Sequence, residues 1–172
     1  MINPVSKVIG GGTDEFTRPA DVTVYTAGDR VSATTSDTAT TPLRTLFRAT
    51  KQGADGIITK LILQTNLATF IDIMRIHLFR VSQPATAIPG DNAAMGVVFA
   101  NRAEYLGFFD FAALAEPIAI SVSDLSQAIL SEKKIGFRCK DGDDAIYYAL
   151  QTTGTGTPAS GQQFFLRAET EE

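Results

Sequence analysis

Alternation with a period of two residues is what most constrains this chain. "LRTLFRAT" (43–50) sets Leu43, Thr45, Phe47 and Ala49 against Arg44, Leu46, Arg48 and Thr50. "IDIMRIHLFRV" (71–81) sets Met74, Ile76, Leu78 and Arg80 against Ile73, Arg75, His77, Phe79 and Val81. Successive side chains of a strand point to opposite faces, so such segments fit a pleated sheet and not a helix. Further strands are expected at 22–26, 57–65, 103–111, 117–122, 134–140, 145–153 and 162–170. Turn signals separate them: Ala27-Gly28-Asp29, "QGADG" (52–56), "KDGDDA" (140–145) and "GTGTPASG" (154–161). The last two read as hairpin turns. "LSQAIL" (125–130) reads equally as a helical turn or a short edge strand, and Asn92–Met95 as a single helical turn.

No long amphipathic helix alternates with these strands. The expectation is therefore an all-β sandwich of about eight to ten strands with one or two short helical turns. The connections at 32–42 and 82–101 exceed hairpin length, which suits a jelly-roll-like path in which the chain crosses between sheets. With 172 residues the chain is long enough for one domain burying roughly 70% of its unfolded surface. We expect a single sandwich domain over 15–170. Residues 1–14 read as a flexible N-terminal arm, with Gly10, Gly11 and Gly12 as its joint. Ile2, Pro4, Val5, Val8 and Ile9 make that arm apolar, and it is the candidate partner-contacting segment, able to add a strand to another sheet's edge.

Composition excludes several functions. The net charge is −4 and no Lys/Arg cluster occurs, so nucleic-acid binding through phosphates is not expected. No run approaches about 20 apolar residues, so no membrane-spanning helix is expected. "MINPVSKVIGGG" lacks the basic-then-apolar pattern of a secretory signal. The single cysteine, Cys139, has no partner within the chain.

Chemistry-bearing constellations are equally sparse. His77 is the one histidine, too few for a histidine-rich metal site, and it reads as a strand-face residue. Cys139 in "KIGFRCK" reads as a small core hydrophobe, or else as a thiol activated by Lys134 and Lys140. "DGDDA" lacks the positions of an EF-hand calcium loop and reads as a turn. "IGGGTDE" lacks the helix that a phosphate-binding loop opens. We therefore expect no catalytic residue, metal or cofactor. One of each pair Phe108/Phe109, Tyr147/Tyr148 and Phe164/Phe165 must face away from its sheet's core, where a second layer or a partner covers it. A carbohydrate-binding sandwich is an alternative, against which the absence of tryptophan counts.

Two separated stretches carry a resemblance. "TRPADVTVYTAGDRVS" (17–32) is similar to the start of a group of tailed-bacteriophage structural proteins. "IPGDNAAMGVVFANRAEYLGFFDF" (88–111) is similar to a later stretch of the same proteins, and "MRIHLFRVSQPATA" (74–87) resembles the strand between them. Met95 stands where that group has an aromatic, and nothing after residue 112 takes part. The resemblance implies a β-sandwich virion component without enzymatic activity, made in the bacterial host cytoplasm. Its most fitting role is a capsid decoration (cement) protein on the capsid exterior. The implied partners are the major capsid protein and further copies of the chain, as a dimer or trimer. A head–tail connector, tail or head-fibre-base component is the alternative.

Overall fold

The computed structural model describes residues 9–33, 43–67, 72–114, 126–130 and 134–172. Within them lie ten strands and one short 3-10 turn. In chain order the strands are β1 (Ile9–Thr17), β2 (Arg30–Val31), β3 (Arg44–Arg48), β4 (Asp55–Thr65) and β5 (Met74–Phe79). They continue with β6 (Tyr105–Asp110), β7 (Ser126–Leu130), β8 (Ile135–Arg138), β9 (Ala145–Thr152) and β10 (Gln163–Glu171). Two antiparallel sheets pack face to face, as expected of an all-β sandwich.

The first sheet runs β1-β10-β4-β7, with β8 on the same edge of β4 as β7. The second runs β2-β9-β5-β6, with β3 beside β9. Since β2 and β3 lie end to end along β9, and β7 and β8 along β4, each sheet has four positions. Most connections leave one sheet and enter the other, and the resulting order is that of a jelly roll, two interlocked Greek keys. "KDGDDA" and "GTGTPASG" accordingly join strands of opposite sheets. They are crossovers and not the hairpins their Gly/Asp content suggested.

The main core fills the space between the sheets. Phe16, Ile58, Leu61, Leu63, Phe164, Leu166 and Ala168 from the first sheet meet Leu46, Phe47, Met74, Ile76, Leu78, Tyr148 and Leu150 from the second. Met74, Ile76 and Leu78 thus share the inward face that their alternation indicates. Alternation fails in β3, where Leu46 and Phe47 are both buried. A bulge between Thr45 and Phe47 places two residues against one of β9 and re-aims the second inward.

A second apolar cluster lies on the outer face of the second sheet. Residues 80–104 fold back over it, so Phe79, Ala145, Tyr147 and Ala149 are covered by Ile88 and Met95, with Leu43 beside them. Every residue of β9 is buried as a result. Each large apolar side chain so covered contributes roughly 1.5–3 kcal/mol.

Three expectations are corrected. The segment 22–26 is not a strand: the Thr23 amide bonds the Asp21 carboxylate and the Tyr25 amide bonds the Gly156 carbonyl, leaving no ladder. The helical turn expected at 92–95 is a tight turn with Asn92 at φ 56°, whereas "LSQAIL" takes the second of its two readings and contains the edge strand β7. The 3-10 turn lies later, at Phe99–Asn101. Third, residues 9–14 are no flexible joint, because they pair with β10 from Ile9↔Glu171 to Asp14↔Leu166. Gly12 serves a close approach there: a Cβ on it would stand 2.7 Å from the Phe47 Cβ. The strand expected at 117–122 lies outside the described residues.

Candidate functional site

The two family-like stretches, some seventy positions apart, meet in one buried network. Asp91 sits at its centre. Its Oδ2 accepts from Arg18 Nη2 at 3.0 Å, and its Oδ1 accepts from the Tyr25 hydroxyl at 2.9 Å and the Ser32 amide at 2.8 Å. Arg18 is fully buried and also donates through Nε to the Tyr25 hydroxyl at 2.9 Å and through Nη2 to Asp21 at 2.8 Å. A buried guanidinium is tolerated only when paired and hydrogen-bonded throughout, and this one is. Burial holds the Asp91 carboxyl above its usual range, with the Ser32 amide, Tyr25 and Arg18 opposing. Burial, seconded by the charge on Asp91, also raises the Tyr25 phenol, which stays a proton donor.

Backbone bonds lock the same joint. The Arg30 amide donates to the Ala93 carbonyl at 3.0 Å, the Asn92 amide to the Arg30 carbonyl at 2.8 Å and the Met95 amide to the Gly28 carbonyl at 2.8 Å. Gly28 turns the chain at φ 100°, and Asp29 closes that turn on the Thr26 amide and hydroxyl. Arg30 is buried, and burial lowers its guanidinium to about 10; it donates to the carbonyls of Ile88 and Pro89. These residues anchor the 80–104 layer on the sandwich and present no reacting group to solvent.

Where that layer ends, a groove of about 420 Å³ opens on the outer face of the second sheet. Its floor is His77, Tyr105 and Gln151. Both Gln151 amide hydrogens are engaged, by the Gly28 carbonyl at 2.9 Å and the Met95 carbonyl at 2.8 Å. The Gln151 oxygen must therefore accept from His77 Nε2 at 3.0 Å, which fixes the tautomer. His77 Nδ1 is then the acceptor for the Tyr105 hydroxyl at 2.9 Å. Burial keeps His77 below its ordinary pKa and thus neutral; the Gln151 bond opposes this and Arg75 adds to it. Among the described residues, no serine or cysteine nucleophile lines the groove.

The rim is apolar and cationic. Phe99 is 79% exposed, Phe108 48% and Val98 44%. The Arg75 guanidinium lies 4.0 Å from the Phe108 centroid and that of Arg102 lies 4.1 Å from the Phe99 centroid. Phe108 is thus the outward member of its pair, whereas Phe109 packs against the core. Tyr147 is the outward member of its own pair and is covered by the chain itself. Phe99 and Arg102 escaped the sequence reading. The visible sign was the run Val97-Val98-Phe99 inside a long connection, with an arginine three positions on, one turn of 3-10 helix away.

The other sequence candidates have structural roles. Of the proposed contact arm, Ile2, Pro4, Val5 and Val8 lie outside the described residues, and Ile9 opens β1 with its side chain 80% exposed. Cys139 is buried in the main core, and burial, with Asp143 adding, pushes its thiol up to about 11. Lys134 and Lys140 do not activate it. In "DGDDA", Asp143 accepts from the Asp144 and Ala145 amides and the Tyr147 hydroxyl, and Asp144 pairs with Arg48. Among the described residues no group of three or more His, Cys, Asp or Glu is arranged to hold a metal. Nor is any of their helices long and apolar enough to cross a membrane. A scan against protein-family models matches none, and a search of curated proteins returns no significant match.

Proposed function

We propose that this chain is a bacteriophage capsid decoration protein, non-enzymatic, that binds the outer surface of the major capsid shell and reinforces it as a small homo-oligomer. One observation carries the reading. The residues that resemble phage structural proteins are the ones that interlock through Arg18, Tyr25 and Asp91 into a single structural joint. A recurring string whose members hold each other in place is a scaffold signature, and a scaffold is what a reinforcing protein needs. The exposed rim of Val98, Phe99 and Phe108 adds support, since aromatic residues and arginine are enriched at protein interfaces.

The test is the copy number of this chain relative to the major capsid protein, by quantitative mass spectrometry on purified virions. A ratio of one or a simple fraction of it fits decoration. A ratio lower by orders of magnitude moves the chain to a connector, tail or fibre-base position. Absence from the virion ends the reading. The carbohydrate-binding alternative draws on the exposed rings of the groove, but those rings carry guanidinium groups on a face and the floor has no free N–H to offer a sugar.

A further inference from the structure

We propose that the groove between Phe99 and Phe108 receives, from a partner protein, an apolar side chain with a neighbouring carboxylate. The apolar group sits against the two rings and Arg102 holds the carboxylate. The inference rests on the decoration reading for which protein supplies that segment, and on the groove's own chemistry for what the segment must be.

The two rim cations are not equivalent. Arg75 is neutralised by Asp110, which accepts from its Nε at 2.6 Å and its Nη2 at 3.0 Å. Arg102 has no carboxylate within ion-pair distance among the described residues; its Nη1 donates to the Phe99 carbonyl at 3.1 Å. Its guanidinium carbon stands over the Phe99 ring, and its remaining N–H groups have no partner among the described residues. Among the described residues the rim thus carries one cation without a carboxylate partner, Arg102, beside exposed apolar surface.

The floor decides between kinds of occupant. A polyol needs several hydrogen-bond donors and acceptors that are free before it arrives. Here the Gln151 hydrogens, the His77 ring nitrogens and the Tyr105 proton are all committed to one another or to backbone carbonyls. What remains among the described side chains is apolar surface and the Arg102 guanidinium. At about 420 Å³ the space has room for a side chain or two. Charge complementarity to Arg102 selects an acidic neighbour, and the rings select the apolar group.

Two measurements test this separately from the decoration reading. In the first, the full chain is titrated with acetyl-Asp-Phe-amide and with acetyl-Lys-Phe-amide while the NMR signals of Val98, Phe99 and Phe108 are followed. The acidic peptide should shift them and bind roughly fivefold more tightly, the order of one exposed ion pair. Equal response to the basic peptide, or shifts elsewhere on the molecule, overturns the proposal. In the second, Arg102→Glu and Phe99→Ser chains are added to virus particles stripped of this protein, and each should lose at least about tenfold in binding. Wild-type binding that both variants retain sinks the groove and leaves decoration standing. No wild-type binding together with a positive peptide titration supports the groove and sinks decoration. Self-association that Arg102→Glu abolishes makes the occupant a second copy and overturns the assignment to another protein.

Discussion

Replacing Asp91 tests whether the joint between the two family-like stretches holds the molecule together. In Asp91→Ala the Arg18 guanidinium loses its buried counter-charge, the Tyr25 hydroxyl its acceptor, and the Ser32 amide its partner. Arg18 keeps Asp21 and the carbonyls of Asp21 and Ala159, so the loss is partial. Breaking a buried ion pair from one side costs about 3–5 kcal/mol, and each orphaned neutral donor costs about 1–3 kcal/mol where water cannot reach it. With water entering the space left by the carboxylate, we expect a net loss of about 4 kcal/mol. At roughly 2–4 °C per kcal/mol for a chain of this size, the melting temperature falls by about 8–16 °C. Asp91→Asn is the informative companion. Its carbonyl can still accept from Tyr25 and Ser32, but its NH2 then faces the Arg18 N–H, so about half the loss should appear. The assay is reversible thermal unfolding by circular dichroism, with hydrogen exchange reading the amides of Arg30, Asn92 and Met95. Those three should exchange faster in Asp91→Ala even below the transition. A loss under about 1 kcal/mol, with unchanged exchange, would refute the claim that this network anchors the 80–104 layer.

Three further outcomes follow from the fold. The His77 pKa is lowered by burial, so the unfolded chain takes up its proton first; stability should fall as pH drops through about 6.5 and level off once the folded His77 is protonated, and His77→Gln should flatten that slope in urea titrations at stepped pH. Gly12→Ala should cost about 1–3 kcal/mol in thermal melts, because the new methyl meets the Phe47 Cβ and Leu46 carbonyl of β3, and a neutral result would mean β1 is free to move there. Cys139 should resist a disulfide reagent at pH 8 until the protein unfolds, its thiol being buried and raised to about 11, whereas fast native-state labelling would contradict its place in the core.

The strands were legible wherever one face meets the core and the other does not. Met74, Ile76 and Leu78 against His77 is the clearest instance, and it led directly to the outward placement of His77. Legibility failed where pairing and not pattern decides. Val22 and Val24 have strand propensity but no neighbouring strand among the described residues, and the Asp21 side chain takes the Thr23 amide instead. Gly10–Gly12 lack strand propensity, yet β10 pairs with them and β3 requires the smallness of Gly12. No local sequence reports either circumstance. The groove was hidden for a similar reason, since Phe99 and Arg102 meet Phe108 and His77 only because residues 80–104 fold back over the sheet. The Asp91 network was half visible: the two stretches stood out by resemblance, but their contact could not be read from spacing.

The position of β10 has a consequence for how the chain comes into being. It lies between β1 and β4 in the first sheet, bonded to both along most of their length. During synthesis β1 emerges first and β10 last of the ten, so until then β1 has no sheet neighbour and β4 has an open side. The backbone groups of β1 and of one side of β4 therefore stay unpaired through translation of everything between. A ribosome-bound intermediate lacking β10 presents two long unpaired edges, the form most prone to pairing with another nascent copy. Production of this protein should thus be limited by protection of the growing chain and not by the stability of the finished one.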